Sequence, residues 1–316
     1  MYDIRKPRFL YKSFGTENPD KKFLLICWDS TVGGLFAIIN HILPYIRYCV
    51  EHNLILVVDM QNLYNQYLDG LETGKENSWE YFFEQPFEYN LEQIKNSKNI
   101  IIVNQKKLVN NPFPYMSKYS DFSLYDFYRD VTLFQEYKND FKQYIRFNEA
   151  VGNYIYTEYD KIFNGKSKIL GVLARGSDYL LKKPKGHKVQ PGPDVILEKS
   201  KRVMQDYKCD YLYLATEDEY IYQLFKESFG SKLLDNSQKR VDLRKIDLKE
   251  NEWLCHIDFS RKKDKYNLGL EYLSSIYNLS KCQCFVGGLT AGTTGVFLMK
   301  EGDFEYQYLF ELGYYP

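Results

Sequence analysis

The stretch Ile169–Asp178, Ile-Leu-Gly-Val-Leu-Ala-Arg-Gly-Ser-Asp, is an apolar run that stops at a cation, a glycine, a hydroxyl and a carboxylate. The run reads as a buried strand, so Arg175 stands at its carboxyl end, where open α/β sheets bind ligands. A guanidinium is permanently charged, and its planar fork matches the oxygens of a phosphate. The alternative is an Arg175–Asp178 pair that merely closes a turn, and these four residues alone leave both readings open.

Two further segments favour an anion. In Phe285–Gly295 an apolar run enters Gly287-Gly288-Leu289-Thr290-Ala291-Gly292-Thr293-Thr294 at the start of a helical pattern. Small residues let backbone N–H groups approach a ligand, and a helix amino end favours negative charge. Gly292, Thr293 and Thr294 are the phosphate candidates there, although Gly and Thr also make ordinary turns and caps. No Gly-Lys-Ser/Thr follows, so the segment is not a P-loop. Tyr211–Ala215 reads as a strand ending in Thr216-Glu217-Asp218. Carboxylates there can accept paired N–H groups from a base edge, or they can cap the next helix. A fourth segment, Asp29–Gly34, is a loop with Gly33 and Gly34 between a strand and a helix that carries His41.

The elements that must position these groups alternate. Lys22–Trp28, Leu54–Asp59 and Asn99–Val103 read as strands, and Leu35–Glu51 has helical spacing, which makes a βαβ unit with its glycine loop at the strand-to-helix turn. Glu76–Phe83 and Leu91–Ser97 also read as helices. A long helical stretch runs from about residue 131 to 163 with a break near Gly152. Asn164–Lys168 is the linker candidate. The second half restarts with Ile169–Ala174, followed by a Lys/Pro/Gly-rich mobile loop, Leu180–Pro193, that holds His187. Helices are expected at Asp194–Tyr207, Ile221–Phe229, Leu268–Leu279 and Thr293–Lys300, and strands at Tyr211–Ala215, Lys232–Leu234 and Cys284–Val286. The reading is α/β: two doubly wound Rossmann-like domains, residues 1–163 and 168–316, facing across a cleft.

With 316 residues the chain is long enough for two domains, and its 42 Lys+Arg balance 42 Asp+Glu, so no global charge draws it to nucleic acid. The 30 tyrosines are spread over the whole chain and point to no one site. The six cysteines have neither disulfide-framework nor zinc spacing, and no metal site is expected. No apolar run reaches the roughly 18 residues that span a bilayer, and the amino terminus has no signal-like apolar stretch, so a cytoplasmic chain without a transmembrane segment is expected.

In this order and spacing the four segments resemble the fucosyltransferase superfamily that includes the nodulation and core α1,6-fucosyltransferases and the protein O-fucosyltransferases. Its His-x-Arg-x-x-Asp signature stands here as Leu173-Ala174-Arg175-Gly176-Ser177-Asp178. Its Ala-Thr-Asp segment stands as Tyr213–Asp218, its last signature as Ser280–Thr294, and its amino-terminal glycine loop and following strand as Gly33-Gly34-Leu35 through Val57-Val58-Asp59. The resemblance implies a GT-B fold, GDP-fucose as donor, inversion at the anomeric carbon and no metal or cofactor. It implies that Arg175 binds the β-phosphate and stabilises the leaving GDP, with Ser177 and Asp178 beside it. Glu217, with Asp218 as substitute, stands at the guanine-reading position after Thr216. Gly33 and Gly34 would approach the donor, and Gly292, Thr293 and Thr294 would hold phosphate oxygens.

Leu173 stands in place of the signature His, Gly176 in place of a second Arg, and Lys183 where some relatives carry a Glu base. The base candidates are therefore Asp29, beside a rigid strand end, and His187, in the loop. The resulting expectation is an inverting, metal-independent glycosyltransferase of surface-polysaccharide biosynthesis that moves fucose to a glycan. A lipid-linked acceptor would bring it to the inner membrane face. The alternatives are the same fold with another nucleotide-sugar donor, or a relative that binds nucleotide sugar or glycan without turnover.

Overall fold

The computed structural model describes residues 10–28, 33–62, 65–68, 72–104, 129–175, 178–246, 253 and 257–316. The chain forms two compact units, Met1–Gly152 and Asn153–Pro316.

In the first unit the apolar runs become β2 (Phe23–Cys27), β3 (Ile55–Asp59) and β4 (Ile100–Asn104), joined by a short β1 (Leu10–Lys12). The sheet order is β1-β4-β2-β3, with β2 parallel to both neighbours and β1 antiparallel on the edge. Helix α1 (Leu35–His52) carries β2 over to β3. The chain then returns through α2 (Leu91–Ile94) to β4 on the other side of β2, so the strand order reverses between β2 and β4. Phe23, Leu25, Val57, Ile94 and Ile100 form a buried cluster within the unit.

Residues 76–83 are turns rather than the helix their spacing suggests. Their side chains cover the open edge of β3. Gln85 accepts from the Val58 N–H at 2.9 Å and donates to the Val58 carbonyl at 2.9 Å. Asn77 accepts from the Met60 N–H and also donates to the Val58 carbonyl. Side-chain amides thus take the place of a neighbouring strand, and an edge that could pair with another chain is closed.

The long helical stretch divides at residues 145–148, not at Gly152, into α3 (Val131–Tyr144) and α4 (Glu149–Phe163). Asn148 makes the break: its Oδ1 accepts from Val151 N and its Nδ2 donates to the carbonyls of Glu80 and Tyr81. Gly152 lies inside α4. The boundary between units falls within this helix, ahead of the 164–168 segment, because the helix packs on the second unit. Tyr159 meets Tyr277 at 5.8 Å between ring centres, and Phe163 meets Tyr213 at 5.4 Å.

The second unit is an all-parallel five-stranded sheet of β5 (Ile169–Leu173), β6 (Tyr211–Ala215), β7 (Leu233–Leu234), β8 (Cys284–Gly288) and β9 (Tyr306–Phe310), in the order β7-β6-β5-β8-β9. The connecting helices are α5 (Asp178–Lys182), α6 (Pro193–Asp206), α7 (Glu219–Phe229), α8 (Asp264–Lys281) and α9 (Ala291–Met299). Every residue of β5 and β8 is buried, which is why both read as unbroken apolar runs. After β7 the chain crosses back over the sheet through α8 to lay β8 on the far side of β5. The strand order therefore reverses between β5 and β8, and the residues leaving those two strands define the ligand-binding crevice of a doubly wound sheet. The five described cysteines are free thiols.

Candidate functional site

Register places the charged groups of the second unit. Leu173 pairs with Ala215 on one side and Gly287 on the other, and the Ala174 N–H reaches the Ala215 carbonyl at 3.0 Å. Arg175 therefore leaves the sheet between Thr216-Glu217 and Gly288-Leu289. Its side chain keeps 27% of its surface exposed. Nη1 donates to Glu217 Oε1, and Nη2 lies 3.3 Å from Asp178 Oδ2. The guanidinium carbon sits 4.8 Å from the centre of the Tyr179 ring, in cation–π range. Asp178 is fully buried, and its second oxygen accepts from Tyr179 N at 2.9 Å. The turn-closing Arg175–Asp178 pair and a cation at the strand end are thus both present. Ser177 lies outside the described residues.

The three residues after β6 have separate tasks. The Thr216 hydroxyl accepts from Asp218 N at 3.2 Å and closes the turn. Asp218, fully buried, caps α7 by accepting from Tyr220 N at 2.8 Å and Ile221 N at 3.3 Å. Helix capping is the role its geometry provides. Glu217 is the residue whose carboxylate faces Arg175, and 29% of its side-chain surface is exposed.

The turn from β8 into α9 is held by its hydroxyls. Thr290 is the N-cap, its Oγ1 accepting from Thr293 N at 3.1 Å. Thr293 Oγ1 donates to the Gly288 carbonyl, and Thr294 N donates to the Thr290 carbonyl. Both Thr293 and Thr294 are fully buried. Gly292 sits against α8 and β5: a Cβ there would lie 3.1 Å from the Tyr272 hydroxyl and 3.4 Å from Leu173 Cδ2. In the first helical turn the Thr293 N–H is taken by the Thr290 cap, which leaves those of Ala291 and Gly292 at the amino end without a carbonyl four residues back in the helix. Gln190 locks the turn from the preceding loop. It is 3% exposed, and its Nε2 donates to the carbonyls of Lys188 and Leu289.

His187 does not sit on a loosely held loop. The backbone of residues 186–189 is tied to the carboxyl-terminal segment by Gly186 N to Tyr315 O, Tyr315 N to His187 O and Val189 N to Gly313 O. Its Nδ1 lies 3.4 Å from the Tyr179 hydroxyl, and Trp253 packs on the same Tyr179 ring at 5.5 Å. Partial burial pushes the His187 pKa below the usual imidazole value. Tyr179 therefore touches both Arg175 and His187.

In the first unit Asp29 lies outside the described residues. Gly33 has φ +128°, a conformation that excludes side chains, and Gly34 is the N-cap of α1. The first N–H of α1, on Leu35, donates to the Tyr67 hydroxyl at 2.9 Å. The His41 ring lies 5.9 Å from Trp28. Asp59, at the end of β3, is 5% exposed and accepts from Gln61 N and Asn62 Nδ2, while burial raises its carboxyl pKa.

The second unit thus offers a guanidinium, a helix amino end and a stacked Tyr at the switch point of its sheet. This arrangement can bind an oxyanion and stabilise charge on it. Sequence reasoning did not single out Tyr179, Thr290 or Gln190. The spacing of Tyr179, four residues past Arg175, and the position of Thr290, one residue before a helix, were the available signals. Gln190 gave none, because nothing in a polar loop marks one amide as buried. Among the described residues no three His, Cys, Asp or Glu side chains are grouped to hold a metal ion. No helix among them is long and apolar enough to cross a membrane.

No protein-family model and no curated protein sequence matches this chain. Solved structures do. NodZ alpha-1,6-fucosyltransferase co-crystallized with GDP is 16% identical, aligned over 89% of this chain and 93% of its own, with a TM-score of 0.50. Fucosyltransferase NodZ from Bradyrhizobium is 15% identical over 89% and 93%, also at 0.50. POFUT1 is 11% identical over 92% and 98%, at 0.46. The chain has the GT-B fold that the resemblance implied, and it shares that fold with NodZ.

Proposed function

We propose that the protein is an inverting glycosyltransferase that moves fucose from GDP-fucose to a glycan, without a metal ion. The observation that carries this reading is Arg175, held at the carboxyl end of β5 beside the amino end of α9, at the switch point of a parallel sheet. NodZ, whose fold this chain shares, was co-crystallized with GDP.

When the bond from the sugar to the β-phosphate breaks, negative charge grows on the departing diphosphate. A preorganised guanidinium lowers the energy of that state, because it is already oriented before the charge appears. Asp178 fixes the orientation by pairing with Nη2 from a fully buried position, and Tyr179 supports the guanidinium through ring contact. The helix amino end supplies further N–H donors. The acceptor hydroxyl must lose a proton, for which Asp29 and His187 are the candidates. The acceptor is read as a surface-polysaccharide precursor, and a lipid-linked one would recruit the enzyme to the inner membrane face.

Purified protein should bind GDP in the presence of chelator and prefer it to UDP by calorimetry. It should also release fucose from GDP-fucose slowly without acceptor. Arg175→Ala should lower kcat by a factor on the order of 10²–10³, as for loss of one preorganised donor. Arg175→Lys should also be poor, since an ammonium cannot make the bidentate contact. Folded variants with wild-type turnover would reduce Arg175 to a turn-closing residue, and a UDP preference would change the donor.

A further inference from the structure

Arg175 is contested. The β5–β6 register sets residue 175 opposite 217, and Glu217 takes Nη1 while Asp178 takes Nη2. The two carboxylates are not equivalent. Asp178 is fully buried, with one oxygen on the Tyr179 N–H and the other on Arg175. It cannot leave without abandoning a buried charge. Glu217 is held through its backbone, its carbonyl accepting from Val241 N at 2.9 Å, while its side chain reaches solvent. That carboxylate can swing away with the turn intact.

A phosphate that takes Arg175 in the bidentate manner needs two N–H groups on one edge of the fork. Tyr179 lies against the guanidinium face, Asp178 holds one terminal nitrogen, and Glu217 holds the other. One guanidinium against two carboxylates also leaves the trio at −1, which opposes an approaching anion. Two of the five N–H groups are thus engaged, and the more exposed of the two carboxylates, Glu217, is the one a ligand phosphate can replace at Nη1.

We infer that Glu217 is an internal competitor for the anion site, whose carboxylate holds Arg175 until a diphosphate displaces it. The inference rests on the assignment of Arg175 to a nucleotide diphosphate. It gives Glu217 a role in setting affinity and in favouring a diphosphate, whose higher charge can win the exchange, over a singly charged anion. It differs from base reading, in which the same side chain would contact guanine and ignore the phosphates.

The test is calorimetry with two probes, GDP and inorganic pyrophosphate, on wild type, Glu217→Gln and Glu217→Ser, each also in an Arg175→Gln background. Competition predicts that removing the carboxylate tightens pyrophosphate and GDP by about tenfold, equivalent to about 1.4 kcal/mol. The gain should shrink as salt rises, and it should vanish when Arg175 is already replaced. Using two replacements keeps a folding defect in one from deciding the outcome. Unchanged or weaker pyrophosphate binding in the folded variants overturns the inference, and a loss confined to GDP assigns Glu217 to the base. If wild type binds both probes yet neither transfers nor hydrolyses GDP-fucose, the enzymatic reading fails while the competition stands. If Glu217→Gln merely fails to tighten binding, the converse holds.

Discussion

Gly288 closes β8, and a methyl group there has nowhere to go. A Cβ built on it would lie 2.2 Å from Gln190 Oε1, 3.1 Å from Gln190 Cδ and 3.2 Å from Pro191 Cδ. A side-chain oxygen can often step aside cheaply, but this one is confined. Gln190 is 3% exposed, and its Nε2 is engaged at 3.1 Å and 3.2 Å with the carbonyls of Lys188 and Leu289. Moving the amide sacrifices both bonds, at about 1 kcal/mol each. Forcing a methylene-sized group into a filled site adds about 1–3 kcal/mol. Gly288→Ala should therefore destabilise the second unit by roughly 3–5 kcal/mol, on the sum of those two contributions. Gln190→Ala alone should cost about 2 kcal/mol for the same two bonds. In the double variant the two bonds are lost once rather than twice and the obstructing side chain is gone, so the combined loss should fall short of the sum by about 3–5 kcal/mol, a coupling expected only of residues in contact. Urea denaturation followed by intrinsic fluorescence reads all three values. Strict additivity, or a Gly288→Ala variant within about 0.5 kcal/mol of wild type, a change typical of surface sites, would refute the steric argument.

Thr290→Ala should cost about 1 kcal/mol by removing the cap of α9, and Thr290→Asn should recover most of it, both measured by denaturation. Gln85→Ala should lose about 2 kcal/mol, because it strands the Val58 N–H on the open edge of β3. Higher-order association on sedimentation should accompany that loss. The chain has 4 histidines, so an imidazole titration by NMR can assign each, and His187 should titrate below the usual 6.5. A depressed imidazole pKa means that folding favours the neutral ring. That contribution is present above the unfolded-state pKa and is lost as pH falls through the folded value. His187→Gln should accordingly show a flatter loss of stability on mild acidification, and an unchanged slope would show that burial does not disfavour the charged ring.

Seven strands could be read from the sequence because each is a short, mostly apolar run. β2, β3, β4, β5, β6, β7 and β8 all fall where those runs predict. The other two strands, β1 and β9, could not. Leu10–Lys12 is exposed throughout, and Tyr306–Phe310 has only Phe310 buried, so neither carries the hydrophobic pattern that marks a strand. Helical spacing misread residues 76–83, because it takes no account of what Asn77, and Gln85 just beyond, bond to. Their amides in fact satisfy a strand edge that is remote in sequence.

The candidate site divides in the same way. The position of Arg175 at a strand end, the glycine and hydroxyl turn into α9, and the carboxylates after β6 follow from local residue order. Which carboxylate meets Arg175 does not. Glu217 and Asp218 are neighbours of like charge, and their roles part only when β6 pairs with β5 and α7 takes Asp218 as its cap. Thr293 and Thr294 were legible as hydroxyls at a helix start. That their oxygens turn inward onto Gly288 and Thr290 depends on how α9 seats against β8. The sequence by itself determined the strand ends, since burial of a continuous apolar segment is a local demand. Partner choice among charges was decided by strand register and helix packing, which bring together residues that the chain keeps far apart.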